Sequence, residues 1–324
     1  MKKRNLLQIC AALAWLLPVL GVHAQDFPPK KPVTLVVGFA AGGAADTAAR
    51  IIAKKLAENV GQSVVVDNRA GAGGNIAHQY VANAASDGSV LLFGSVGPLT
   101  IAPHMMKLPY DPVRDLAPLT MGVNFPNVLV VHPGVNVKTL AEFVALARKK
   151  PGTLDFASTG AGSASHLAGE LFNIQAGIDT VHIPYKGGAP AMQDLLGGRV
   201  AAYYSTPSTA GPFIESGKLI PLATTGLTRP AFMPNVPTIA ESGFPGFNAT
   251  NWYAFVAPGK TPTPLLERWN LELVKVLNTP DVREQLLKHG LTPMPGTRDE
   301  LARYMASETA TWGRVIRERK ITAD

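Results

Sequence analysis

Four short glycine-rich stretches hold the residues best placed to do chemistry. They are Gly42-Gly43 ahead of Asp46 and Thr47, Ala70-Gly71-Ala72-Gly73-Gly74-Asn75, Ser158-Thr159-Gly160-Ala161-Gly162-Ser163-Ala164-Ser165-His166, and Lys186-Gly187-Gly188-Ala189-Pro190. Each follows an apolar, strand-like run and opens a helix-like one. The first N–H groups of a helix have no partner within it and sit at the positive end of its dipole. Glycine lets a ligand or a second stretch of backbone approach them closely. The pattern predicts an anion held by backbone donors. Lys186 is the one basic side chain in the four stretches.

Other chemistries lack their residues. Gly38 and Gly43 have the spacing of a nucleotide P-loop, but Ala44 and Ala45 stand where Lys and Ser/Thr must follow, so nothing is left for a β/γ-phosphate or Mg²⁺. Gly71-x-Gly73-x-x-Ile76 lacks the third glycine of a dinucleotide fingerprint, and no serine sits in G-x-S-x-G. Histidines 78, 104, 132, 166, 182 and 289 never fall within five residues of one another, which leaves no local metal-ligand pair. His166 beside Ser163 and Ser165 reads either as a base next to a nucleophile or as a polar first turn that caps its helix; the cap is the expectation. Asp46 has a similar double reading, because a first-turn acid favours the dipole and pairs with Arg50 four residues on.

The chain opens with Lys2-Lys3-Arg4, an apolar run from Leu6 to Val22, and Val22-His23-Ala24. These are the three parts of a secretory signal peptide, residues 1–24, cut after Ala24. Gln8 and Pro18 interrupt the apolar run, which is short for a bilayer span of about 20 residues. The single cysteine, Cys10, leaves with it, so the exported protein has no thiol chemistry. The formal net charge of +7 falls to +4 without those three basic residues, and what remains is scattered. Nucleic acid needs a dense basic stripe, and none is present. Nothing in the sequence calls for a cofactor or a metal.

These loops need elements to position them. Strand-like runs at 33–39, 63–67 and 90–95 flank helical stretches at 46–59 and 75–85, a β-α-β-α-β order that predicts a parallel sheet. A second set has strands at 128–132, 154–158, 181–185, 200–205 and 219–226, with helices at 138–149, 165–176 and 190–196. The β-prone run 248–259 follows, and helices alone finish the chain, with Thr297 and Glu300 as a capping box. The strand, glycine loop and helix of 36–50 recur loosely at 154–170. The economical fold class is α/β, as two similar halves with a cleft between them; ligands in open α/β sheets sit at the carboxyl ends of strands, where these loops lie.

FAAGGAADTAARIIAKKL, GQSVVVDNRAGAGGNIA, ASDGSVLLFGS, STGAGSASHLAGELF and VHIPYKGGAPAMQDLLGGRV, in that order, resemble the periplasmic solute receptors of tripartite tricarboxylate transporters, the Bug family. The resemblance runs from about residue 30 to the C-terminus. It implies a type II periplasmic-binding-protein fold: residues 25–123 with 252–324 as one lobe, 124–251 as the other, and two crossovers as hinge. It also implies a monomer that binds a small organic mono- or dicarboxylate and meets membrane transporter subunits transiently.

Carried over by motif, the ligand contacts in the first lobe are the backbone of Ala44, Ala45 and Asp46, with Ser95 and an apolar wall at Phe39. In the second lobe they are Thr159, Gly160, Ser163, Ser165 and His166, with Tyr185, Lys186 and Gly187 closing the site. Where the family commonly reads G-Q-V-D-V-M-F-D, this chain reads Gly198-Arg199-Val200-Ala201-Ala202-Tyr203-Tyr204-Ser205, so both acids are replaced, by Ala201 and Ser205. With no carboxylate to meet an ammonium, the expected ligand is a carboxylate without an amino group, and Tyr204 is expected to offer it a ring. Two other functions stay open on sequence: a solute sensor that signals rather than transports, and a secreted hydrolase built on Ser163, Ser165 and His166.

Overall fold

The computed structural model of the chain describes residues 27–322. The signal peptide, its cleavage point and Cys10 lie outside the described residues. Eleven strands form two sheets among those residues, one per lobe.

The first sheet has the order β11-β4-β10-β3-β1-β2, where β1 is Val33–Val37, β2 Val64–Asn68, β3 Val90–Ser95, β4 Leu116–Pro126, β10 Thr250–Pro258 and β11 Thr292–Pro293. β1 pairs in parallel with β2 and β3, whereas β10 runs antiparallel between β3 and β4. The second sheet has the order β7-β6-β8-β5-β9, with β5 Val128–Val131, β6 Asp155–Ser158, β7 Val181–Pro184, β8 Ala202–Ser205 and β9 Ile220–Thr224. There β6 is parallel to β7 and β8, and β5 is antiparallel to β8 and β9. Both sheets are therefore mixed, and the parallel part in each holds the strands that end in glycine loops.

Burial explains these elements. β1 is a Val/Leu run interrupted only by the half-buried Thr34, and otherwise buried as a central strand should be. Helix α1, Ala44–Val60, packs Ala48, Ala49, Ile52, Ala53 and Leu56 against it at helical spacing and ends at Gly61 in the left-handed conformation. Six more helices carry the loops between strands or lie beside them: α2 Asn75–Ala82, α3 Leu140–Lys149, α4 Ala164–Ala176, α5 Gly188–Leu196, α6 Pro207–Glu215 and α7 Thr263–Asn278. α8 Pro280–Lys288 and α9 Arg298–Arg319 close the chain on the first lobe; α9 begins with the Thr297–Glu300 capping box, both bonds of it formed.

Three elements differ from the sequence reading. β4, which the sequence reading leaves out and which Pro118, Gly122 and Pro126 punctuate, pairs from end to end with β10 across two register shifts, and pairing overrides propensity. α6 forms despite Pro212 within it. The short strand β11 interrupts the helical C-terminal region.

The lobes join at two crossovers, β4 into β5 and the return into β10. Thr225 ties them: its N–H donates to Asn127 O at 2.9 Å, its hydroxyl takes the Asn127 N–H at 2.9 Å and donates to Ala249 O at 2.8 Å.

Candidate functional site: the cleft between the lobes

The glycine loops of the two lobes touch one another. The Ala40 N–H donates to Lys186 O at 3.1 Å, from the corner after β1 to the corner before α5. A Cβ on Gly97 would stand 2.6 Å from Gly162 O, and one on Gly160 2.6 Å from Gly73 N. Such distances exclude any side chain. Glycine is required there by the approach of two backbones, which here come from opposite lobes.

The corner after β1 is built from behind. The Asp46 carboxylate is buried and accepts from Gly42 N–H and Arg50 Nε, both at 3.0 Å. Burial alone would raise its pKa, but the bonds from Arg50 and Gly42 outweigh that and hold it below the usual carboxylate range. Asn68 adds a bond to Phe39 O at 3.0 Å. With the carboxylate so engaged, what α1 presents to the cleft is the backbone of its first turn, at Ala44, Ala45 and Asp46. Its N-cap is Gly43, and no side chain caps it. Gly43 lies opposite Gly188, the first residue of α5, whose N is 3.7 Å from where a Gly43 Cβ would be. α5 also lacks a side-chain cap, its N-cap being Gly187.

His78 locks the adjacent loop. It is fully buried, bonds Gly74 O through Nδ1 at 2.9 Å and is approached by Ser95 N at 3.4 Å from Nε2. The arrangement assigns the neutral tautomer with its proton on Nδ1, and burial pushes the pKa down to about 4. One imidazole thus sets the second glycine loop and the end of β3 together. Ser95 is buried, and Phe39 stands nearby with its ring centroid 6.3 Å from that of Tyr253.

The third loop is self-contained. Ser163 caps α4 by accepting the His166 N–H at 3.3 Å, and Ser165 Oγ accepts the Thr159 N–H at 2.9 Å. His166 Nδ1 accepts the Gly162 N–H at 3.2 Å, so the ring serves the loop rather than either serine. It stacks on His182 at 3.9 Å, and His182 in turn shares a 2.5 Å hydrogen bond with Ser158 Oγ. Ser158 is fully buried and receives the Gly160 N–H, which makes this a structural tie under the loop.

Of the sequence-predicted residues, Phe39, Ala44, Ala45, Asp46, Ser95, Thr159, Gly160, Ser163, Ser165, His166, Lys186 and Gly187 all lie on the loops and strand ends that meet between the lobes. Ser205 ends β8 at the same level, fully buried, with its Oγ on Thr206 O at 3.2 Å. Tyr185 follows β7, but its hydroxyl turns to Asp194 at 2.7 Å, and burial followed by that bond pushes its pKa up to about 12. Tyr204 does not face the cleft. Its ring meets Phe156 edge-on at 5.6 Å within the core. The neighbouring Tyr203 is the one on the α5 side of the sheet, its hydroxyl 3.2 Å from the Cβ position of Gly188. Alternation along a strand makes a one-residue difference a change of face. Among the described residues no group of three or more His, Cys, Asp or Glu could hold a metal ion.

Residues 48–321 match the tripartite tricarboxylate transporter family receptor, TctC. A protein from the tcbD–tcbE intergenic region of Pseudomonas sp. strain P51 is 38% identical over 98% of this chain and 95% of its own. The structure of R. palustris Rpa4515 with adipate superposes with a TM-score of 0.88, at 35% identity, over 92% of this chain and 99% of that one. MatC (Rpa3494) from Rhodopseudomonas palustris with bound malate gives 0.85 at 32% identity, over 89% of this chain and 99% of its own. The chain therefore belongs to the tripartite tricarboxylate transporter receptors, the two-lobed periplasmic solute-binding proteins of the TctC and Bug type.

Proposed function

We propose that this chain is a non-catalytic receptor that closes its lobes on one small organic carboxylate lacking an amino group and delivers it, as a monomer in the periplasm, to transporter subunits in the membrane. The observation that carries this reading is the pair of uncapped, glycine-started helices α1 and α5 facing each other across the cleft. Buried donors at two helix starts suit a carboxylate, because hydrogen bonds to a charged acceptor are roughly twice as strong as neutral ones. The division at 123/124 and 251/252 puts both crossovers at the hinge, and the Thr225 tie suits a pivot. Adipate in Rpa4515 and malate in MatC are carboxylates without an ammonium, which agrees with Ala201 and Ser205 standing where acids would meet one.

Calorimetry with succinate and aspartate on the exported protein tests the ligand class, and scattering with saturating succinate tests closure. Succinate is expected to bind more tightly and to compact the molecule. Tighter aspartate binding overturns the ligand class; an unchanged radius with confirmed binding overturns the closure. Gly43→Pro removes a donor and shifts the φ of −87° by only about 20°, and is expected to cost binding one charge-assisted bond of about 1.5–3 kcal/mol.

A further inference from the structure

A groove in the first lobe shares no residue with the glycine loops. It lies between α9 and the chain that leads from β3 into β4, and it encloses about 420 Å³. Small-molecule sites typically enclose about 300–1,000 Å³. The stretch 97–106 separates this groove from the cleft. Ala102 and Met106 face Gly162 of the other lobe, each with an atom 3.3 Å from where its Cβ would stand, whereas Leu99 and His104 of the same stretch line the groove against α9.

The two ends of the groove differ. At the start of α9, where Arg298 Nε donates to Pro118 O at 3.1 Å, the lining is apolar: Leu116 and Pro118 of β4 on one side, Ala302 and Met305 on the other. Val113 also lines the groove and is 80% exposed, so apolar surface here faces water. Toward the end of α9 the character changes. The His104 ring covers Gly313, with Cε1 2.6 Å from where a Cβ would be, and its Nε2 is buried without a hydrogen-bond partner. Arg317 follows one turn further on, exposed, and is the one lysine or arginine in the lining. Among the described residues no acid lines the groove.

These features select an occupant. It must bury apolar surface along α9 and end in a single anionic group. A second charge at the apolar end would lose its water without a partner, which excludes a dicarboxylate. A cation would meet Arg317 and no counter-charge. From Ala302 to Arg317 α9 runs about 22 Å, a shape suited to a chain. We propose that the groove is a second binding site, separate from the cleft, for a medium-chain alkyl carboxylate. The tail lies along α9 toward β4. The carboxylate faces Arg317 and gives the Nε2–H tautomer of His104 an acceptor.

Calorimetric titration with octanoate, 1-octanol and octyltrimethylammonium tests this in the wild type and in Gly43→Pro, Ala306→Trp, Ala310→Trp and Arg317→Gln. Ala306 and Ala310 line the groove from exposed positions on α9, so either tryptophan fills it without entering the core, and thermal melting of each checks the fold. The wild type is expected to show a saturable octanoate site that survives Gly43→Pro and is lost in both tryptophan variants. Arg317→Gln should weaken octanoate about threefold to fivefold, as an exposed ion pair does, and leave 1-octanol unchanged. Octyltrimethylammonium should bind more weakly than octanoate. Octanoate binding lost in Gly43→Pro and kept in both tryptophan variants would place the ligand in the cleft and overturn the groove while leaving the carboxylate reading of the cleft intact. A wild type that does not bind octanoate, or that binds octyltrimethylammonium equally well, also overturns it.

Discussion

The two strand–loop–helix units at 36–50 and 154–170 look alike in sequence and end differently in space. In the first, α1 starts at Gly43 with no side-chain cap, and its acid, Asp46, reaches back to the loop instead of serving the helix start. In the second, Ser163 caps α4, and Ser165 and His166 take up further N–H groups of the same loop. A helix start already capped has fewer donors to offer a ligand. The first lobe thus offers bare backbone at α1, while the second offers α5 and a rim of hydroxyls. Similar motifs need not do similar work; the polar side chains in the first turn decide.

The sharpest way to break this comparison is to remove what holds the first lobe's wall from behind. His78 has its pKa lowered by burial from 6.5 to about 4, which corresponds to about 3 kcal/mol of stability. The folded state resists protonating this ring, so the contribution is complete above pH 6.5 and is lost as the pH falls toward 4. Denaturant titrations between pH 7 and 4 should show a fall of that order, and His78→Gln should flatten it. A wild-type profile that the substitution leaves unchanged would count against His78 as the lock.

Next in size is contact between the lobes. Gly97 has no positive φ, so Gly97→Ala adds no backbone strain, yet its Cβ would press on Gly162 O. Overpacking of this kind typically costs about 1–3 kcal/mol, and here it falls on closure alone. Affinity should drop while the melting temperature of the ligand-free protein holds. Gly61→Ala, at a left-handed position with open space around it, should do the reverse: lower stability and spare binding.

Much of this was legible from the residues. The glycine loops, their order and most strands follow from punctuation and apolar runs, because a buried parallel strand announces itself. β4 was hidden by its prolines, since its partner β10 is more than a hundred residues away and no local pattern encodes that pairing. Tyr203 was hidden by a different cause. A tyrosine pair in a buried strand reads as core, and which member turns its hydroxyl toward the start of α5 depends on the register of β8 against β5 and β6. Tyr204 was the wrong member. The Asp46–Arg50 pair and the Ser163 cap, by contrast, are local, and the sequence alone suffices for them.

Smaller effects sharpen the contrast between the two helix starts. Ser163→Ala removes the cap on α4 and should cost about 1 kcal/mol of stability. Because it frees a donor in the cleft while removing a hydroxyl, affinity should change less than it does on Gly43→Pro. A larger loss of affinity than Gly43→Pro produces would mean that the second lobe, and not α1, dominates recognition.

The smallest expected effect belongs to the only basic side chain in the glycine loops. Lys186 lends its carbonyl to Ala40 N–H across the cleft, a bond that any residue at this position can make. Its ammonium is on an exposed side chain, where charge interactions are screened by water and salt. Lys186→Met should therefore weaken carboxylate binding by a factor of about two to five at low salt, and by less at 0.15 M, where the Debye length is about 8 Å. A salt series on both proteins separates the long-range pull of the charge from direct contact. If Lys186→Met abolishes binding at every ionic strength, the charge is a direct ligand contact, and the backbone scheme built on α1 and α5 is wrong.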